Sequence, residues 1–213
     1  MDHAIVVHRH GGPEVLTWEP RPVGSPGPGE IRLAHRAVGV NFIDLYHRSG
    51  LYPQTFPFVP GMEGAGVVDA VGPGVEHLAP GDRVGYALVI GGYATARLLP
   101  ADRVVKLPRQ ISDETAAAML LRGLTAEYLV RRTFAAQPGQ WAVVHAAAGG
   151  TGSILVQWLR AIGTRVIAVV GNERKAAIAR ELGAEQVLLA TDPQWVSRIR
   201  DLTAESGGAH VVY

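Results

Sequence analysis

Residues 141–152, WAVVHAAAGGTG, decide the fold of this chain. Ala142, Val143 and Val144 read as a buried strand. Gly149, Gly150 and Gly152 read as a tight turn in which the backbone approaches a phosphate without Cβ atoms in the way, and Ser153 to Arg160 as the following helix. The N–H groups and dipole of such a helix face the anion. The spacing is Ala146-x-x-Gly149-x-x-Gly152, with alanine where the commonest dinucleotide fingerprint has its first glycine. A Walker-type loop needs Lys and then Ser or Thr after the last glycine; Ser153 and Ile154 stand there, so that loop is excluded. The remaining alternative is a plain strand-to-helix turn packed with small residues.

Outward from the turn, Thr164 to Val170 reads as a second buried strand, Glu173 to Leu182 as a helix and Glu185 to Leu189 as a short third strand. This β-α-β-α-β alternation predicts a parallel sheet with right-handed crossovers, the frame in which a glycine turn binds a dinucleotide. The candidate cofactor-binding residues at the turn are Ala148, Gly149, Gly150, Thr151 and Gly152.

The N-terminal part has another texture. Short apolar runs alternate with turns such as Arg21 to Glu30, Pro60-Gly61 and Pro80-Gly81-Asp82, which predicts a β-rich domain with strands near Ile31 to Val40, Glu63 to Val71, Arg83 to Ala87 and Tyr93 to Leu98. After Ser112, an expected N-cap, two helical stretches are predicted, Thr115 to Leu120 and Thr125 to Arg132. The boundary is placed between them, giving a first domain over 1–124 and a second over 125–213.

Composition narrows the function. The 213 residues carry 20 Lys+Arg against 19 Asp+Glu, a net charge of +1, which gives no electrostatic case for nucleic acid or an anionic membrane. There is no cysteine, so disulfides and thiolate metal sites are excluded and a cytoplasmic setting is expected. The stretch 133–159 lacks Asp, Glu, Lys and Arg, but its Gln137, Pro138, Gln140, His145 and glycines fit a buried strand-turn-helix and not a membrane span. His8 and His10 are expected as exposed residues on one face of a strand.

Several motifs in order carry a resemblance: Val40-Asn41-Phe42-Ile43-Asp44, Arg48-Ser49-Gly50-Leu51-Tyr52-Pro53, Val59-Pro60-Gly61-Met62-Glu63-Gly64-Ala65-Gly66, Pro80-Gly81-Asp82-Arg83-Val84, and His145 to Gly150. Together they resemble the NADPH-dependent quinone oxidoreductases, the zeta-crystallin branch of the zinc-free medium-chain dehydrogenase/reductase superfamily. The resemblance implies an α/β architecture: a GroES-like β-rich catalytic domain followed by a Rossmann-like cofactor domain. It also implies that Asn41, Tyr46 and Tyr52 line the substrate cleft as catalytic residues, with Asn41 and Thr125 meeting the nicotinamide side. A flat quinone needs aromatic faces and a few donors, which Phe42, Tyr46 and Tyr52 can supply. The proton that follows the hydride has two candidate sources, water and Tyr52.

No metal is expected. Relatives that use catalytic zinc hold it with a cysteine near the Asn41 position and a His-Glu pair where this chain has Met62-Glu63. For the cofactor, an NAD site places Asp or Glu at the end of the second strand, about 20 residues past the glycines. Here the strand ends Val169-Val170-Gly171-Asn172, and Glu173 falls in the first helical turn, where an acid is expected on dipole grounds. Lys175 matches the position at which similar reductases bind the 2′-phosphate, so Gly171, Asn172 and Lys175 are assigned to NADPH. In close relatives a tyrosine near that phosphate follows the third strand; this chain has Leu189-Ala190-Thr191.

The chain stops at Tyr213 as a fourth apolar strand begins, so only the first mononucleotide-binding half is expected, with an exposed sheet edge and without the dimer edge of homodimeric relatives. The expected function is NADPH-dependent reduction of quinones or α,β-unsaturated carbonyls. The alternatives are NADPH binding without turnover, as in a structural or redox-sensing protein, and an inactive truncated product.

Overall fold

The computed structural model describes all 213 residues, in two compact units, Met1–Leu121 and Arg122–Tyr213. The first unit contains β1 (His3–Val6), β2 (Thr17–Pro20), β3 (Glu30–Val38), α1 (Phe42–Ser49), β4 (Glu63–Val71), β5 (Arg83–Ala87), β6 (Ala96–Pro100) and β7 (Val105–Lys106). Five strands form an antiparallel sheet in the order β6-β3-β4-β5-β7, and β1 pairs with β2 apart from it. Alternation along β3 buries Ile31 and Leu33, which join Val68, Val84, Tyr86 and Leu99 in one core. Ala65 of β4 forms a smaller cluster with Ala116 and Ala117 of α2 (Asp113–Tyr128), the helix that leads into the second unit.

The strands near residues 31–40 and 93–98 are shifted from expectation, to Glu30–Val38 and Ala96–Pro100. The two predicted helices around residue 122 are one continuous helix, α2, ending in a π-helical turn at Leu129–Thr133. Ser112 Oγ accepts from the Thr115 N–H at 3.1 Å, capping it as predicted. Gly123 lies inside this helix, because one internal glycine weakens a helix by only about 1 kcal/mol and does not end it. His8 and His10 lie beyond the end of β1, not on it: His8 Nε2 meets Glu19 at 2.7 Å and the His10 ring packs edge-on to Phe56.

The second unit contains β8 (Trp141–His145), α3 (Gly150–Ile162), β9 (Arg165–Val170), α4 (Glu173–Glu181), β10 (Gln186–Leu189), α5 (Trp195–Leu202) and β11 (Val211–Val212). Its sheet is parallel throughout, in the order β10-β9-β8-β11. Both faces are covered. Leu155, Val156 and Leu159 of α3, with Ala176 and Ala179 of α4, cluster with Ala142, Val144, Val166 and Ala168; on the opposite face Trp195, Ile199 and Leu202 pack against Trp141, Val143, Ile167 and Val169. Burial on both sides is why these strands read as continuous apolar runs. The strand order reverses at β8, with β9 on one side and β11 on the other. That is the topological switch point at which open α/β sheets place their ligands.

In the first unit His35 is a half-buried polar link. Its Nδ1–H donates to the Ala94 carbonyl at 2.7 Å, so Nε2 accepts from the Tyr86 hydroxyl at 2.9 Å. Burial, followed by the Arg97 charge, lowers its pKa from 6.5 to about 4. Unfolding restores the ordinary value, so the unfolded chain takes up this proton first. The His35 contribution is complete above pH 6.5 and lost as pH falls through about 4. Urea unfolding across that window is expected to show a loss of about 3 kcal/mol that is absent from a His35→Gln variant.

Candidate functional site

The turn between β8 and α3 is built differently from its sequence reading. None of Gly149, Gly150 and Gly152 has positive φ; the left-handed residue is Ala146, at φ 49°. The alanine at the fingerprint's first glycine position therefore carries the turn itself, in a conformation that disfavours a Cβ by about 1–2 kcal/mol. The glycines provide close approach. An ideal Cβ on Gly152 would lie 2.3 Å from the Ala146 carbonyl oxygen, and one on Gly149 would lie 3.0 Å from the same atom. Gly149 N-caps α3 with extended backbone, and the first turn of the helix holds no acidic residue. The leading N–H groups of a helix have no acceptor within it, so this end offers donors and partial positive charge to an anion.

Parallel pairing of β8 and β9, with His145 opposite Val169, brings the segment after β9 to the same sheet edge. Gly171 and Asn172 lie there, both exposed, and Asn172 Oδ1 accepts from the Lys175 N–H at 3.0 Å, capping α4. Lys175 is exposed in the first turn of α4. Glu173 points its carboxylate to Arg180 at 3.9 Å, as a residue of the helix surface. Ala148 and Thr151 are half-buried beside the glycines, and Thr125 is half-buried on α2.

In the first unit Asn41 precedes α1, and Tyr46 and Tyr52 lie on and just after that helix. Their rings are 5.4 Å apart and edge-on, with Phe42 6.3 Å from Tyr46. Phe42 is 75% exposed and Tyr52 49%, leaving an open aromatic surface. Asn41 is buried at 7% exposure and its Nδ2 donates to Glu63 Oε1 at 2.7 Å, while Glu63 Oε2 accepts from the Leu121 N–H at 2.8 Å. Glu63 is fully buried, so its two partners are what keep a carboxylate tolerable there. The Asn41 N–H and the Tyr93 hydroxyl both donate to Asp44 Oδ2 at 2.8 Å. Burial and then the Asp44 charge raise the Tyr93 pKa, keeping the phenol a donor. Asp44 Oδ1 and His47 Nδ1 are buried without partners.

Three features were missed from sequence: the anchoring by Glu63, the left-handed Ala146 and the placement of Arg122 against Gly150. A charged residue inside the small, apolar run Gly61 to Gly66 was a signal for Glu63; nothing in periodicity marked the other two. An apolar pocket in the first unit, lined by residues including Ile5, Trp18, His35 and Val38, contains none of the predicted site residues. No group of three or more His, Cys, Asp or Glu side chains is arranged to hold a metal, and no helix is long and apolar enough to cross a membrane.

Gly152→Ala is expected to destabilise the chain by about 1–3 kcal/mol, read as a lower urea midpoint, because its Cβ meets backbone and not a flexible side chain. Asn41→Ala is expected to lose about 3 kcal/mol in the same assay by stripping a buried carboxylate of one partner.

Residues 27–109 match the alcohol dehydrogenase GroES-like domain and residues 150–213 the zinc-binding dehydrogenase family. The chain is 42% identical over 217 residues to a 2-haloacrylate reductase of Burkholderia sp, covering 99% of this chain and 65% of that protein. Escherichia coli quinone oxidoreductase, solved in complex with NADPH, is 43% identical with a TM-score of 0.95, over 99% of this chain and 65% of that one. An NAD-dependent alcohol dehydrogenase structure is 34% identical with a TM-score of 0.89, over 98% of this chain and 69% of that one. The chain thus spans 60 to 65% of the length of the first curated relatives it matches. With both domain matches in order and 34% identity to an alcohol dehydrogenase of which it covers more than two thirds, the chain belongs to the medium-chain dehydrogenase/reductase superfamily.

Proposed function

We propose that this chain is an NADPH-dependent reductase of quinones or α,β-unsaturated carbonyls. The observation that carries the reading is the glycine turn after β8, at the point where the strand order reverses. The turn fits a dinucleotide: at Gly152 it leaves out a Cβ that the backbone has no room for, at Gly149 one that would be crowded, and α3 begins without an acid. NADPH, when bound, supplies the hydride.

The chain's own residues bind and orient. Ala148 to Gly152 present backbone donors to the diphosphate, and Gly171, Asn172 and Lys175 receive the 2′-phosphorylated ribose, with no strand-end acid to repel it. Thr125 and Asn41 are assigned to the nicotinamide, and Tyr46 and Tyr52 to the flat substrate through ring faces and hydroxyls. The donor set supports a zinc-independent reaction. There is no cysteine, Met62 precedes Glu63, and both Glu63 oxygens are committed to hydrogen bonds within the protein. The substrate carbonyl is then polarised by hydrogen-bond donors.

Titration with NADPH and NADH, followed by turnover on a panel of quinones and enones, tests this function. Binding without turnover on any acceptor would select the non-catalytic reading. Lys175→Ala is expected to weaken NADPH at least about tenfold while leaving NADH nearly unchanged, since only NADPH carries the second charged group. Equal effects on both cofactors would sink the assignment of Lys175.

A further inference from the structure

The apolar pocket of the first unit encloses about 460 Å³, a volume within the range of small-ligand sites. Its walls are tied together through the backbone. The Ile5 N–H donates to the Tyr93 carbonyl and the Thr95 N–H to the His3 carbonyl, each at 2.8 Å, and the His35 N–H donates to the Thr95 carbonyl at 2.9 Å. Ile5 stands opposite Trp18 in the pairing of β1 with β2, and the Trp18 ring, stacked on His3 at 5.3 Å, is 57% exposed. Val38 and Val40, both exposed, extend the apolar lining.

The polar side chains of this lining are spoken for, with one exception. His35 uses both ring nitrogens on the Ala94 carbonyl and the Tyr86 hydroxyl, Tyr93 donates its hydroxyl to Asp44, and the Thr95 hydroxyl is tied to the His3 backbone. The exception is Arg36, whose side chain is exposed and has no ion pair or hydrogen bond within the protein. Arg36 is the extra residue of a β-bulge: His35 pairs with Gly66 and Ala37 with Ala65, and Arg36 lies unmatched between them. Bulges re-aim the side chains they carry. No acidic residue lines the pocket, so the guanidinium meets no counterion there. An apolar pocket with an unneutralised fork of donors at its wall is complementary to a ligand that joins an apolar body to a carboxylate. The indole face favours a flat body over a flexible chain.

We propose that this pocket is a binding site for aromatic carboxylates, which lay their ring against Trp18 and pair their carboxylate with Arg36. The site lies wholly within the first unit and shares no residue with the predicted cofactor and substrate positions, so it is independent of whether the second unit binds a dinucleotide.

The test is calorimetric titration of the 213-residue chain and its variants with 2-naphthoate and with its neutral counterpart, 2-naphthamide. The carboxylate is expected to bind about tenfold more tightly than the amide. Arg36→Gln should remove that preference, weakening 2-naphthoate about tenfold and leaving the amide unchanged, with a smaller loss in Arg36→Lys, which keeps the charge without the fork. Trp18→Ala should weaken both ligands by a similar factor, because the ring contact does not depend on the head group. Arg36 and Trp18 are exposed, so the urea midpoints of these variants should stay where they are. No binding of 2-naphthoate at millimolar concentration, equal affinity for acid and amide, or unchanged affinities in Arg36→Gln would overturn the proposal. An affinity loss in Arg36→Gln that comes with a lower urea midpoint would show a structural role and also overturn it. So would a loss of 2-naphthoate binding in Tyr52→Ala but not in Arg36→Gln, which would put the ligand on the aromatic surface of α1.

Discussion

The second unit depends on how closely α3 crosses the end of β8. The Ala146 carbonyl and the Cα of Gly152 come so near that a methyl group at 152 has no place, and that proximity sets the height of the helix over the sheet. From there Leu155, Val156 and Leu159 reach Ala142 and Val144, which are small enough to let them in. The same crossing aims the start of α3 over the carboxyl end of the central strand. Packing and the shape of the turn are consequences of one contact, so the residue types that satisfy one also satisfy the other.

The first unit is organised around a charge. Glu63 sits in β4 with no exposure, and its partners come from 22 residues upstream and 58 downstream in sequence. A buried carboxylate adds little net stability over an apolar residue of its size, but it rejects any arrangement that leaves it unpaired. Here that selectivity fixes where α1 begins relative to β4 and α2. The direction of the Asn41 amide is fixed by the same bond: Nδ2 faces the carboxylate.

The parallel sheet was legible because strands buried on both faces write themselves as apolar runs, and Val166 to Val170 shows this plainly. The caps at Ser112 and Asn172 were equally legible, since each side chain accepts an N–H three residues on. The continuity of α2 was not: two helical stretches were read, Thr115 to Leu120 and Thr125 to Arg132, although the residues between them, Gly123 included, keep the helix going. The turn's mechanics were also hidden. Alanine and glycine differ by one carbon, and nothing in a one-dimensional pattern says which of four neighbouring small residues takes the left-handed conformation and which three merely need to be thin. The placement of Arg122 belongs to the same class, since it is a contact across 28 residues of sequence with a position that has no side chain.

The two bare atoms on α1, Asp44 Oδ1 and His47 Nδ1, make this short helix the least well satisfied part of the first unit. Each buried polar atom left without a partner costs about 1–3 kcal/mol, a debt the five-stranded sheet does not carry. Regions of lower local stability open more often than the globule unfolds as a whole. The amides of α1 are therefore expected to exchange with solvent ahead of those of β3 and β4, so that the aromatic surface of Phe42 and Tyr46 rides on an element that opens more readily than the sheet.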